Sequence, residues 1–261
     1  MQNNEGQPTN FSKYGIDTTA AGEGGHKGQH ENKSWLDCIP GLRGETDRQG
    51  FVKKVYSLVF LMLLMATIFT IIPVCSEPVR EFMIYHSWLY YVSSIITIVM
   101  LLSLLCFYKI LKRVPINYIF LIVFTIAKSY SVASLTCHFE PASILYAAIL
   151  TSIMGLSLSL FACFTKADLT SIYHALCWIS LGVSLGAMIL MLIIRSHWIL
   201  IICSWVFLII AGLYLIVDTQ MIIGGRGKQL SLDDYIIGAL ILFIDFVSIF
   251  INLLAIIGSR R

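Results

Sequence analysis

The sequence predicts an all-α membrane protein, a bundle of seven transmembrane helices, and two observations carry this prediction. The 261 residues are 57% hydrophobic and only 13% charged, whereas an ordinary soluble domain is about 25% charged. The hydrophobic residues also fall into separate runs of about 20, the length that crosses a hydrocarbon core as a helix. The seven runs are Val55–Val74, Trp88–Phe107, Ile116–Thr136, Ile144–Phe164, Ile172–Ile194, Ile199–Ile223 and Tyr235–Ile257.

Residues 1–48 precede the first run and differ from the rest of the chain. They are rich in Gly, Asn, Gln, Thr and Lys and poor in aliphatic residues, so they cannot bury a core. The run from Val55 begins too late for a cleaved signal peptide. We therefore expect a disordered cytosolic tail at 1–48 and a single seven-helix membrane domain at 49–261.

Proline and glycine mark several of the predicted helix ends. Pro115 and Pro141 precede the third and fourth runs, where a missing backbone N–H costs nothing. Gly224, Gly225 and Gly227 follow the sixth run, and glycine accepts the positive φ at which helices commonly end. The seventh run, Tyr235–Ile257, is long enough to cross the membrane.

Basic residues are unequally shared between the two sets of loops, which predicts the orientation. One set of alternate flanks contains only Arg80 and Arg195. The positive-inside rule places the richer set, and the N-terminus, in the cytosol. Seven full spans then put Arg260 and Arg261 outside, so a re-entrant last segment is the alternative. The basic residues of the richer set are Arg48, Lys53, Lys54, Lys109, Lys112, Arg113, Lys166, Arg226 and Lys228.

Two acids, Asp218 and Asp245, lie inside the sixth and seventh runs. A charged side chain at the centre of a bilayer costs roughly 2.5–3.5 kcal/mol on insertion scales, and such residues usually face a bundle interior or a water-filled path. Helical rise places Asp218 about 9 Å and Asp245 about 15 Å from the cytosolic ends of their spans, so contact requires tilt or a kink. Both acids are candidate functional residues.

Each acid shares a helical face with other polar or small residues, because successive members of each set are three, four or seven residues apart. A narrow polar stripe in an apolar span turns toward other helices, so the two stripes are expected to meet. On the sixth run the face contains Ser204, Ala211, Tyr214 and Asp218, and on the seventh it contains Gly238, Asp245, Ser248 and Asn252.

Two carboxylates that meet in a poorly solvated site cannot both ionise cheaply, so they share a proton. Loss of that proton leaves two negative charges that repel each other and attract a hard cation such as Ca²⁺, which prefers oxygen ligands. We therefore expect Asp218 and Asp245 to form a proton-sharing pair that gates and transiently binds Ca²⁺, supported by Tyr214, Ser248 and Asn252. The alternative is structural: acids hydrogen-bonded to Tyr, Ser and Asn as packing contacts.

Lys128 is a third intramembrane charge, in the run Ile116–Thr136. It is either a counter-ion to the acids or a side chain that extends toward the far interface. The sequence contains no Gly-rich phosphate loop and no Ser/His/Asp arrangement, and the contexts of Asp218 and Asp245 lack the Tyr-Asp and Gly-x-Gly-Asp of intramembrane aspartyl proteases. We expect no enzyme activity, no cofactor other than Ca²⁺ as the permeant ion, and no nucleic-acid partner.

The C-terminal third resembles the Bax-inhibitor/lifeguard (transmembrane Bax inhibitor motif) family, and matching segments upstream extend the likeness over roughly residues 48–261. The resemblance implies a seven-helix bundle with the last helix central, in the endoplasmic reticulum or Golgi, with the plasma membrane and lysosome as alternatives. It implies a pH-sensitive leak of stored Ca²⁺ and suppression of cell death, and it assigns the family's paired acids to Asp218 and Asp245. The matching segments are Asp218-Thr219-Gln220, Gly224-Gly225, Leu230-Ser231, Asp234-Tyr235, Ala239-Leu240, Asp245, Leu253-Leu254, Gly258, Phe51-Val52-Lys53-Lys54-Val55-Tyr56, Pro115-Ile116-Asn117-Tyr118, Ser129-Tyr130 and Thr165-Lys166-Ala167-Asp168-Leu169-Thr170.

Two positions depart from the family's pattern. Tyr146 stands where the family usually has an acid in the fourth span, and Lys128 stands where it usually has an uncharged residue. Loss of an anion and gain of a cation would both weaken cation permeation. The alternative function is therefore a non-conducting protein that modulates cell-death signalling through partner membrane proteins.

Overall fold

The computed structural model describes residues 40–106, 115–194, 196–224, 230, 231 and 234–259, with side-chain detail from Arg48 onward. All regular structure in these residues is helical, as the sequence predicts. A short 3₁₀ turn, Thr170–Ile172, precedes the sixth helix. The helices are α1 (Pro40–Cys75), α2 (Glu77–Tyr85), α3 (Trp88–Cys106), α4 (Ile116–Thr136), α5 (Pro141–Phe164), α6 (Tyr173–Ile194), α7 (His197–Ile223) and α8 (Tyr235–Ile257).

The described helices confirm a multi-pass membrane protein. Six of them are long and apolar enough to cross a membrane, and α2 with α3 makes a seventh candidate, bent by 75°. The predicted second run, Trp88–Phe107, corresponds to α3, and α2 precedes it as a short helix that buries Met83 while Phe82 and Tyr85 remain exposed. Whether the N-terminus is cytosolic stays a prediction.

The first helix is longer than its apolar run, because it begins at Pro40 rather than near Val55. Phe51, Val55, Val59 and Met62 follow one another at helical spacing and are all buried. The helix therefore continues beyond the hydrophobic run and into the predicted tail. The rest of that tail, residues 1–39, lies outside the described residues.

The last helix is the centre of the bundle, as the family resemblance implied, because α8 packs against α1, α4, α5 and α7. Ala239, Leu242 and Phe243 on α8 are fully buried. A helix that is apolar on most of its faces is usually buried in the core of a bundle.

The two ends of α8 lie near opposite ends of α4. The Tyr235 hydroxyl is 2.7 Å from that of Tyr118, in the first turn of α4. At the other end, the Glu140 backbone N–H, just after α4, donates to the Ser259 carbonyl at 3.0 Å. The last helix thus runs the full height of the bundle and does not turn back as a re-entrant segment.

The helix α6 lies at the edge of the bundle. It packs chiefly against α7 and the 3₁₀ turn, and within it only Leu176 and Ala187 are buried. Its exposed side chains are mostly large and apolar, among them Trp178, Leu185 and Ile193, which suits a helix that faces lipid on most sides.

Candidate functional site

Asp218 on α7 and Asp245 on α8 form a pair inside the bundle. Their side chains are hydrogen-bonded to each other, and they are only 4% and 7% exposed. A carboxylate has no proton to donate, so a hydrogen bond between two carboxyl groups requires that one of them is protonated. The two acids are therefore close enough to share a proton.

The close approach of α7 and α8 brings the acids together and removes the depth offset expected from helical rise. Gly238, one of the small residues on the acid-bearing face of α8, lies at this junction. A Cβ atom there would be 3.4 Å from Val55 and 3.5 Å from Ile222, so α8 touches both α1 and α7 at that level. Leu215 on α7 and Leu240 on α8 are almost fully buried, so both acid-bearing helices are packed tightly into the bundle near the pair.

A cavity of about 500 Å³ lies beside the acids, between α6, α7 and α8. Asp218, Asp245 and all three supporting residues named from the sequence line it, and Tyr173 is a further polar residue that the sequence analysis missed. The remaining wall is apolar. The residues that line the cavity are Tyr173, Phe207, Ile210, Ala211, Tyr214, Asp218, Ile241, Ile244, Asp245, Ser248, Ile251 and Asn252.

The supporting residues are hydrogen-bonded to groups other than the acids. The Tyr214 hydroxyl is 2.9 Å from Ser180 Oγ on α6. Ser248 Oγ donates to the Ile244 carbonyl at 2.7 Å, and Asn252 Nδ2 donates to the Ser248 carbonyl at 2.8 Å.

Each acid keeps one buried oxygen without a hydrogen bond. These atoms are Asp218 Oδ1 and Asp245 Oδ2. A buried polar atom without a partner normally costs about 1–3 kcal/mol, so the two oxygens are unsatisfied acceptors inside the bundle.

The structure does not bring Lys128 to the acid pair. Lys128 is half-buried on α4, is absent from the cavity wall and forms no ion pair within the described residues. The counter-ion role predicted as one of two alternatives thus has no contact that supports it. Tyr146 also lies away from the acids, because it is 61% exposed on the outer surface of α5.

Among the described residues, no three His, Cys, Asp or Glu side chains are grouped closely enough to hold a metal ion. Two carboxyl groups alone supply fewer oxygens than the six to eight, approximately, that Ca²⁺ takes.

Arg48 is a structural residue whose role the sequence did not reveal, since it counted only as a flanking positive charge. Its guanidinium donates to three carbonyl oxygens: Met221 at 2.6 Å, Leu230 at 2.6 Å and Ile223 at 3.1 Å. It also lies over the Phe51 ring, 4.9 Å from the centroid. One side chain of α1 thus binds the end of α7 and the segment that follows it, and we call this contact the Arg48 clamp.

The clamp leaves little room at Gly224, the residue that ends α7. Its φ of 75° is in the left-handed region, which glycine adopts without the steric cost of a Cβ atom. A Cβ atom there would also lie 2.7 Å from Arg48 Nε. Glycine at 224 therefore serves both the helix end and the clamp.

Gln220 is a second residue of this kind, known from the sequence only as part of a matching segment. Its side chain is fully buried. Its amide nitrogen, Nε2, donates to the Ala167 carbonyl at 3.0 Å, and its amide oxygen, Oε1, accepts from the Leu169 N–H at 2.9 Å. Gln220 thereby fixes the segment that leads from α5 to Tyr173 at the cavity.

Comparison with known proteins gives a consistent result. Residues 48–261 match the model of a family described as inhibitor of apoptosis-promoting Bax1. Protein lifeguard 3 of Mus musculus is 28% identical over 243 residues, 90% of this chain and 78% of the relative. Protein lifeguard 3 of Homo sapiens is 29% identical over 217 residues, covering 82% and 70%. Protein LIFEGUARD 1 of Arabidopsis thaliana is 29% identical over 232 residues, covering 85% and 95%.

Proposed function

This chain belongs to the Bax-inhibitor/lifeguard family, whose members are membrane proteins linked to the inhibition of apoptosis, and from that premise we propose that it is a proton-controlled leak for stored Ca²⁺. Suppression of cell death would follow from a lower Ca²⁺ content of the store. We place it in the endoplasmic reticulum or Golgi, with the plasma membrane and lysosome as the alternatives.

The observation that carries this proposal is the buried hydrogen bond between Asp218 and Asp245. While the two acids share a proton, the bond ties α7 to α8. When the proton leaves, two negative charges in a poorly solvated site repel each other, and the cheapest relief is separation of the helices or arrival of a cation. Proton loss would then both loosen the hairpin and draw Ca²⁺ to it.

The groups around the pair favour control by this single proton. Tyr173 and Tyr214 are the titratable groups that interact with Asp218, and Cys177 lies beside the two tyrosines. Tyrosine and cysteine are neutral near pH 7 at their ordinary values. Among the residues that the structure describes, no cationic side chain contributes to the interactions of either acid, so within that part of the chain the charge at this site changes through the acids themselves.

The test is Ca²⁺ flux in proteoliposomes that contain the purified full chain, measured across a range of pH. We expect flux to rise as the shared proton is lost, and we expect Asp218→Asn and Asp245→Asn to flatten that dependence. Glu81→Gln is the matched control, because Glu81 is an exposed acid on α2. An unchanged pH profile in both Asn variants would rule out the acid pair as the gate.

A second function has its own supporting observation. Tyr146, at the position of the usual family acid, points outward and is 61% exposed, so within the described part of the chain the cavity is lined by two acids, Asp218 and Asp245. A non-conducting protein that modulates cell-death signalling through membrane partners would need no cation path. Reconstituted protein that passes no Ca²⁺ at any pH, yet still protects cells, would select this function.

A further inference from the structure

We propose that the cavity between α6, α7 and α8 binds an amphiphilic primary amine, with the ammonium group on Asp218 and Asp245 and the hydrocarbon tail along the apolar wall. This deepens the proposed function, since it rests on the same proton-sharing pair and names an organic ligand for it. It does not require that the protein conduct ions.

The acids offer a matched site for one ammonium group. A pair that shares one proton has a net charge of about −1, which a single ammonium neutralises. Asp218 Oδ1 and Asp245 Oδ2 are buried and have no hydrogen-bond partner, and an ammonium has three N–H donors. Both oxygens have almost no accessible surface, so an ammonium reaches them by displacing the side chains that cover them. It would then satisfy both oxygens without breaking the hydrogen bond between the acids.

Aromatic rings complete the head-group site. Tyr173 and Tyr214 both line the cavity, and their rings are in edge contact, with centroids 6.3 Å apart at an angle of 82°. An ammonium over the face of a tyrosine ring is attracted by the negative face of the ring, and more strongly when it is desolvated. The head-group site thus combines charge, hydrogen bonds and aromatic contact.

The rest of the cavity suits a hydrocarbon tail. Its volume of about 500 Å³ falls within the range of roughly 300–1,000 Å³ typical of small-molecule pockets. The wall follows α7 from Phe207 to Asp218 and α8 from Ile241 to Asn252, in each case about 16 Å of helix. Apart from the acids, six of the ten lining residues are Ile, Phe or Ala, and a bare cation would leave them uncovered.

A Ca²⁺ ion would contact less of the cavity wall than the amine does. Hard cations need oxygen ligands on most sides, whereas the wall beyond the acids is largely apolar. A bound amine would occupy the acids in their proton-sharing state and hold α7 against α8. The amine is therefore expected to act as a blocker of any cation path through the pair.

The test uses dodecylamine as the probe and dodecan-1-ol, which has the same tail and no charge, as its control. The purified full chain is titrated with each in detergent, and binding is read from the shift in thermal unfolding. We expect dodecylamine to stabilise the wild type and dodecan-1-ol to have little effect. We expect Asp218→Asn and Asp245→Asn each to weaken amine binding by about tenfold or more, because each removes a charged hydrogen bond.

A pair of tail-site variants keeps the test decisive if the Asn variants fail to fold. Ile251→Trp fills the apolar end of the cavity, and Ile209→Trp places the same side chain on the outer face of α7, where Ile209 is 62% exposed. Only the first should weaken amine binding. Equal stabilisation by the alcohol, or equal binding by all variants, would overturn the proposal.

The outcome is separable from that of the proposed function. If dodecylamine binding depends on the acids while no Ca²⁺ flux occurs at any pH, the amine site stands and the leak does not. If Ca²⁺ flux responds to pH through the acids while amine binding is the same in all variants, the leak stands and the amine site is wrong.

Discussion

The guanidinium of Arg48 donates a 2.6 Å hydrogen bond to the carbonyl oxygen of Met221, so the first helix holds the end of the seventh. The same guanidinium binds the Ile223 and Leu230 carbonyls. These bonds satisfy acceptors at the end of a helix, where intrahelical partners are missing. The acid-bearing hairpin is therefore attached to α1 close to the acids.

We expect Arg48→Ala to lower the free energy of unfolding by about 2–3 kcal/mol, because hydrogen bonds from a charged donor contribute roughly 1.5–3 kcal/mol each and this residue is partly solvated. Arg48→Lys should recover only part of the loss, since an ammonium cannot reproduce the planar fork. Unfolding in detergent micelles measures both. Lys53→Ala is the control, because Lys53 is exposed on the same helix; an equal loss there would contradict the clamp.

The acid pair should make stability fall as pH rises. A proton shared by the hydrogen-bonded pair would be one that separated, solvated carboxyl groups release at about pH 4, so above that pH the folded state would bind more protons than the unfolded one. Linkage then requires that the free energy of unfolding decrease with pH. Asp245→Asn keeps a hydrogen-bond donor beside Asp218 and removes one ionisable group.

The measurement is thermal unfolding of wild type and Asp245→Asn at about pH 5.5 and about pH 8, where the difference in slope isolates the pair. We expect a shallower loss of stability in the variant. Glu81→Gln should follow the wild type. Parallel slopes for wild type and Asp245→Asn would mean that the acids do not share a proton.

Gln220 should control the segment between α5 and α6. Its amide joins the Ala167 carbonyl and the Leu169 N–H, so Gln220→Ala leaves both without that partner, at a cost of about 1–3 kcal/mol. Gln220→Glu keeps an acceptor for Leu169 but sets a carboxylate against the Ala167 carbonyl. We expect faster proteolysis near 165–170 in both variants. Unchanged cleavage would show that the two Gln220 hydrogen bonds do not hold this segment.

Two glycines provide a matched test of helix packing. A Cβ atom at Gly155 on α5 would overlap the Phe246 ring of α8, whereas nothing lies within 4 Å of one at Gly182 on α6. Gly155→Ala should cost about 1–3 kcal/mol through overpacking. Gly182→Ala should be neutral or stabilise by up to about 1 kcal/mol, because alanine is the better helix former. The melting temperatures of the two variants test this difference. A lower melting temperature for Gly182→Ala than for Gly155→Ala would contradict the packing of α5 against α8.

The sequence predicted the features that depend on composition and helical spacing. Burial of an acid in lipid is costly enough that Asp218 and Asp245 could be singled out, and their spacing from Tyr214, Ser248 and Asn252 identified residues that line one cavity. Length and hydropathy alone were sufficient to locate α4, α7 and α8 to within a few residues.

Features that depend on contacts between distant segments could not be predicted in this way. Arg48 acts on carbonyl groups that every residue has, so nothing in its local sequence marks the partner. Gln220 likewise pairs with backbone atoms of a loop. Tyr173 lines the cavity, but it lies on α6, a helix without an acid that would mark one of its faces as functional. The 75° bend between α2 and α3 depends on how both pack.

The placement of both acids on consecutive helices also bears on how the chain enters the membrane. An unpaired acid at the centre of an inserting helix costs roughly 2.5–3.5 kcal/mol, while two acids joined by a hydrogen bond relieve each other. We therefore expect the last two helices to insert as one hairpin. A chain truncated after Ile223 should insert its final span less efficiently than the full chain inserts the same span. The acid pair would then form while the protein is being inserted into the membrane.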